Sequence, residues 1–176
     1  MVLTTRVVAC GIVLLVMSTV GFSQEPPKPG PEFDHLKNLV GTWEASVKFG
    51  GGESKGTMTY KMELGGLWLV GVFEGEFGGQ KFEGKGLDTF DNGKKKYVSI
   101  WVDSMTTTPM ITEGTYDKDS KVMTMTGESP GQDGKPAKVK TVATFKDKDH
   151  IEFVMYMGGK EGKGEEMMTI NYTRKK

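Results

Sequence analysis

Residues 41–66 read GTWEASVKFGGGESKGTMTYKMELGG, a stretch that holds two strands and two turns. Trp43, Ala45, Val47 and Phe49 alternate with Glu44, Ser46 and Lys48. Met58, Tyr60, Met62 and Leu64 alternate in the same way with Thr57, Thr59, Lys61 and Glu63. Successive side chains of a strand point to opposite faces, so each run reads as a half-buried strand with one apolar face. Gly50-Gly51-Gly52 and Gly65-Gly66 supply the chain reversals.

The same rhythm continues to the C-terminus. Gly78-Gly79, Asp91-Asn92-Gly93, Ser104 to Pro109, Asp117 to Ser120, Ser129 to Pro136, Asp147 to Asp149 and Gly158 to Gly164 mark seven further turns, which makes nine connections and ten strands. So many strands joined by short turns form an antiparallel meander, and closure is what removes its edges. The expected fold is therefore all-β, an antiparallel up-and-down barrel of about ten strands. A two-sheet sandwich is the alternative, but no long crossover connection is visible for it. Upstream, Phe33, Leu36 and Leu39/Val40 fall at helical spacing within Glu32 to Val40, and Gly41 stands just past their end; this predicts one short helix closing the barrel. Gln24 to Pro31 carries four prolines and reads as an extended tether, so that the domain spans 32–176.

The first residues are read as a targeting segment. Met1 to Arg6 is a short basic region, Val7 to Met17 is apolar, and Gly21 and Ser23 are small residues placed for a signal peptidase; cleavage is expected after Ser23. The apolar run is shorter than the roughly 20 residues of a membrane span. Cys10 superficially matches a lipidated cysteine, but Gly11 to Met17 continue the apolar segment beyond it, where such a cysteine should end it. The expected location is extracytoplasmic, periplasmic or secreted, with no transmembrane segment in the mature chain.

Composition removes several functions. The whole chain has 23 basic and 23 acidic residues and one cysteine, which the leader takes with it. A neutral domain with no basic stripe lacks the footprint of a nucleic-acid partner. Without cysteine there is no disulfide scaffold, thiol nucleophile or Cys-ligated zinc. His35 and His150 are too few for a three-His metal site, and no cofactor is implied.

The segments Gly41-Thr42-Trp43, Gly65-Gly66-Leu67-Trp68, Phe73-Glu74-Gly75-Glu76, Tyr97 to Met105 and Glu113-Gly114-Thr115-Tyr116-Asp117 carry a family resemblance. Gly127-Glu128, Glu152 to Met157 and Tyr172 to Lys176 continue it. Together they resemble the bacterial secreted family catalogued as domain of unknown function 1579, over about Leu36 to Lys176. The Gly-x-Trp opening is similar to that of lipocalin and fatty-acid-binding barrels. The resemblance implies a calycin-like barrel and no established activity, cofactor or catalytic residue.

Trp101-Val102-Asp103-Ser104-Met105 brings an acid and a hydroxyl to a strand end beside a tryptophan, as a barrel mouth would. In the ligand-binding reading, Trp43, Trp101 and Met105 provide walls, and Asp103, Ser104 and Glu113 orient a polar group. In the structural reading, Trp101 is core and Asp103 and Ser104 satisfy turn amides. Asp88 becomes a candidate if the interior is polar. Glu74 and Glu76 share one strand face opposite Phe73, Gly75 and Phe77, a pattern of aromatic in and acid out. Met123/Met125 and Met155/Met157 raise copper(I), with His150 as a further ligand, against flexible packing around a cavity. Which face of Tyr97 to Asp103 points inward is not decided by parity, because Val98, Ile100 and Val102 are bulky too. The expected function is binding of a small apolar or amphipathic ligand inside the barrel. An envelope interaction module is the alternative, followed by an enzyme built on Asp103, Ser104 and Glu113.

Overall fold

The computed structural model describes residues 27–131, 135–158 and 164–176. The expected leader, with Cys10 and the expected cleavage position, lies outside the described residues, as does the start of the expected tether.

A five-residue helix, α1 (Phe33–Lys37), precedes ten strands: β1 (Gly41–Phe49), β2 (Gly52–Glu63), β3 (Trp68–Phe77), β4 (Gln80–Asp91), β5 (Lys96–Asp103), β6 (Met110–Asp117), β7 (Val122–Pro130), β8 (Pro136–Phe145), β9 (His150–Met157) and β10 (Glu165–Arg174). Each strand pairs antiparallel with the next, and β10 returns to pair with β1. Ala45 stands opposite Tyr172 on one side and Gly56 on the other, so the first strand is saturated along both edges. The meander thus closes into a barrel without a free edge.

Parity holds through β1, whose Trp43, Ala45 and Val47 are buried while Glu44, Ser46 and Lys48 are exposed. In β2 it ends early. Met58 is buried, but Leu64 leaves the strand at a single tight turn (Leu64–Gly66) and is 69% exposed, contrary to the sequence expectation. The turn requires positive φ at Leu64, Gly65 and Gly66, which tips the Leu64 side chain out of the alternation.

The helix is shorter than Glu32 to Val40. Phe33 and Leu36 are its buried residues, and Val40 is exposed. A five-residue helix has almost no internal hydrogen bonding to hold it, so its position depends on what grips it. Trp43 Nε1 donates to the Leu39 carbonyl at 2.9 Å. Arg174, the last residue of β10, lays its guanidinium 4.0 Å above the Trp43 ring centroid. Its Nη1 and Nη2 donate to the carbonyls of Val40 and Asn38 at 2.7 and 2.6 Å, and Nε donates to that of Lys148 at 3.1 Å. One side chain from the end of the domain therefore captures the carbonyls that the short helix leaves unpaired. The prolines before the helix are not wholly free of the barrel either: the Tyr97 hydroxyl donates to the Glu32 carbonyl at 2.8 Å, and Pro29 packs near Gly66.

Candidate functional site

The interior is lined rather than filled. Buried residues fall into one cluster around Trp43, Val47, Met58, Phe73 and Ile170, and another beneath the helix around Phe33, Leu36, Leu69, Tyr97 and Met125. Between them and the mouth lies a cavity of about 470 Å³. Its open end is marked by Phe49, Phe77, Phe82, Asp103, Met105, Thr106, Thr108 and Met110; its closed end meets His35, Leu36 and Leu39 of the helix segment. The wall is mostly aromatic and thioether, with Met58, Met123, Met125, Met155 and Met168 among its residues.

Glycines keep this space open. Gly84 and Gly86 of β4 lie beside Trp101 of β5, and a Cβ on Gly84 would sit 2.6 Å from Trp101 Cη2. The indole therefore lies flat over a strand that has no side chain beneath it. Gly71 does the same for Tyr60, whose Cε1 would stand 2.7 Å from an added Cβ. Rings folded onto the wall enlarge the lumen, whereas rings pushed away from it would fill it.

Of the residues singled out in the sequence, Trp43, Trp101, Asp103 and Met105 line the cavity. The inward face of β5 is thus Tyr97, Ser99, Trp101 and Asp103, the choice that parity left open. Asp103 satisfies a turn amide, as the structural reading expected, and also braces the Trp101 wall. One oxygen accepts the Trp101 indole N–H at 2.9 Å, and the other accepts the Met105 amide at 2.8 Å, fixing the wall and the turn together.

Ser104 and Glu113 do not belong to the lining. Ser104 Oγ accepts the Glu83 amide at 3.2 Å, and the Ser104 amide donates back to the Glu83 carbonyl, so this residue extends the β4–β5 ladder. Glu113 faces outward between Lys94 and Lys96, at 2.9 and 2.7 Å, and these two ammonium groups hold its carboxyl down at about 2. Outward residues of β6 alternate with inward Thr112, so Glu113 could not reach the lumen in this register. Asp103, Ser104 and Glu113 accordingly form no common site. Glu74 and Glu76 follow the aromatic-in, acid-out pattern, with Phe73 and Phe77 on the cavity wall. Met123, Met125 and Met155 line the cavity, but His150 is exposed outside and pairs with Asp147 at 2.9 Å. Among the described residues, no group of three or more His, Cys, Asp or Glu could hold a metal ion.

Two further groups matter. Asp88 lies on β4 toward the closed end, directly opposite Ser99, and both line the cavity with Tyr60 and Tyr172. Burial raises its carboxyl to about 6, partly offset by a hydrogen bond from Ser99. Both phenols are pushed up, first by burial; Asp88 adds to the effect on each. His35 stacks on Tyr116 at 3.7 Å between centroids and meets Phe145 edge-on at 4.5 Å, and its buried Nε2 has no hydrogen-bond partner. Burial lowers its pKa to about 4, so the imidazole is neutral near pH 7. The sequence offered Asp88 only on the condition of a polar interior; the signal that could have placed it is its i, i+2, i+4 spacing from Gly84 and Gly86 on one strand face. No such signal marked His35, which sits beside charged neighbours and off the Phe33 and Leu36 stripe of its helix.

The family model described as "Protein of unknown function (DUF1579)" matches residues 28–174. Among solved structures, Rv2717c from M. tuberculosis superimposes with a TM-score of 0.63 at 13% identity, covering 84% of this chain and 99% of that one. The S-type phycobiliprotein lyase CPES from Guillardia theta does so with a TM-score of 0.56 at 12% identity, covering 81% and 92%. At such identities the likeness shows the barrel and nothing finer. No curated protein matches the chain.

Proposed function

The chain belongs to the DUF1579 family of proteins of unknown function, and from the form of its interior we propose that it binds one small apolar or amphipathic molecule inside the barrel without transforming it. The carrying observation is the cavity of about 470 Å³, open at one end and walled by aromatic and methionine side chains. Small-molecule sites typically enclose roughly 300–1,000 Å³ with apolar walls and a few polar groups, and this interior fits that description. Flexible methionines on several strands suit a ligand of irregular shape. The absence of a common site for Asp103, Ser104 and Glu113 weighs against the enzymatic alternative.

The test is native mass spectrometry of protein purified from its own host, combined with titration by a neutral fluorescent apolar probe, N-phenylnaphthylamine. A co-purifying small molecule, displaceable by the probe at one per chain, is expected. A ligand-free protein whose interior leaves the probe silent contradicts the proposal.

The proposal includes export. Met1 to Ser23 reads as a cleavable leader, and intact-mass measurement on the recovered protein should give a chain beginning at Gln24. A cytosolic chain that retains the leader would remove this part.

A second reading, an interaction module, rests on the outer wall. Val70, Leu87, Ile100 and Ile111 occupy one register row across β3 to β6, with Leu87 and Ile111 exposed and Val102 beside them. Contiguous exposed apolar residues of this kind mark contact surfaces. Light scattering across a concentration series separates a monomer, which counts against this reading, from a self-associating chain.

A further inference from the structure

We infer that the cavity selects a cationic amphipath, a primary or secondary amine on an apolar body, whose nitrogen seats on Asp88 and Ser99 at the closed end between Tyr60 and Tyr172. This rests on the cavity-binding proposal and adds the chemical class of the ligand.

Charge in the lining is one-sided. Asp88 and Asp103 are its carboxylates, and among the described lining residues there is no lysine or arginine. His35, the remaining basic group, is neutral near pH 7 and sits at the helix. Of the two carboxylates, Asp103 is already committed to the Trp101 indole and the Met105 amide. Asp88 is surrounded by neutral hydroxyls, Ser99 hydrogen bonded to it and Tyr60 and Tyr172 nearby, with no cation among the described lining residues. A carboxylate placed in an apolar chamber without a countercharge is costly, and a cation arriving with the ligand removes that cost.

The geometry also gives a direction. Gly86 precedes Asp88 on the same face and leaves one side of the carboxylate without a side chain, since a Cβ added there would come into contact with Asp88 Oδ2 at 3.7 Å. The apolar residues Phe73, Phe77, Phe82 and Trp101 lie between Asp88 and the mouth, so an amine would enter head first with its apolar body along these rings. An anionic ligand would meet two carboxylates and no compensating base. A neutral alcohol would leave the charge of Asp88 unpaired. The titratable groups facing Asp88 are Tyr60 from β2 and Tyr172 from β10; burial keeps both phenols protonated, so they add no charge and can donate to the carboxylate or accept from an ammonium.

The test is competition of decylamine, decanol and decanoate against N-phenylnaphthylamine in the full-length mature protein at pH 7.5. Decylamine should bind at least tenfold more tightly than the other two, and Asp88→Asn should collapse the amine-to-alcohol ratio to near one. Should that variant fail to fold, the unmodified protein still decides. Its amine affinity should fall about tenfold per pH unit below pH 6, where Asp88 takes up its proton, while decanol affinity stays level. Probe binding with no preference for the amine, or a preference that survives Asp88→Asn or low pH, overturns the inference and leaves cavity binding standing. Failure of the probe itself to bind overturns both.

Discussion

Replacing Arg174 by alanine removes the grip that joins the last strand to the helix. Three charge-assisted hydrogen bonds are lost, to Val40, Asn38 and Lys148, together with the stacking over Trp43. Charged hydrogen bonds contribute about 1.5–3 kcal/mol each when buried, and a cation over an aromatic face about 0.5–1 at exposed sites. Full addition overstates the loss, because the carbonyls lie near the surface and water replaces part of what the guanidinium supplied. We expect about 2–3 kcal/mol of destabilisation in Arg174→Ala. Arg174→Lys should recover less than half of this, since an ammonium cannot fork between two carbonyls. The assay is equilibrium urea unfolding followed by tryptophan fluorescence. With a slope near 2 kcal/mol/M, the alanine midpoint should fall by about 1–1.5 M. A shift below about 0.3 M, or a lysine variant equal to the parent, would refute the idea that this fork holds the helix.

Three further outcomes follow from the same geometry. Gly84→Ala should drive the Trp101 ring off β4 and into the lumen, costing about 1–3 kcal/mol and weakening probe binding; unchanged affinity in a titration would show that the ring does not need the bare strand. His35 has a folded pKa of about 4 against an ordinary 6.5, so the unfolded chain binds its proton first and the contribution of this group is lost as pH falls from 6.5 through 4. A His35→Phe variant should flatten that limb of a thermal-unfolding profile, and an unchanged limb would exclude the imidazole as its source. Asp88 has the opposite sign: raised from 3.8 to about 6, it contributes fully below 3.8 and loses its contribution as pH rises through 6. Asp88→Asn should therefore unfold at the same or higher temperature than the parent at pH 8, the stability gain expected when a strained binding group is removed; a marked loss there would contradict the assignment.

Much of the barrel was legible because a closed sheet imposes a period of two that short turns interrupt but do not shift. Trp43 to Phe49 and Phe73 to Phe77 kept their parity from sequence to structure. Leu64 did not, since a tight turn with positive φ overrides alternation at a strand end. The site was legible in part. Trp101 and Asp103 were legible because an acid and a hydroxyl arrive at a strand end beside a tryptophan; that the two share the inward face and hydrogen bond there is visible only in the folded barrel. Ser104 and Glu113 were drawn in by chemistry alone: Ser104 continues the ladder outward of the lumen, and the parity of β6 sends Glu113 to its lysines. His35 was invisible because its environment is made by Tyr116 and Phe145, which are brought to it only when the barrel closes.

Cavity binding itself is tested most directly by filling the lumen from a small residue on its wall. Ala143, on the wall of β8, is such a position. N-phenylnaphthylamine should bind the parent protein at one per chain and bind Ala143→Trp at least tenfold more weakly, with circular dichroism showing the same folded barrel. Equal binding to both proteins, or none to the parent, would contradict a ligand-holding interior.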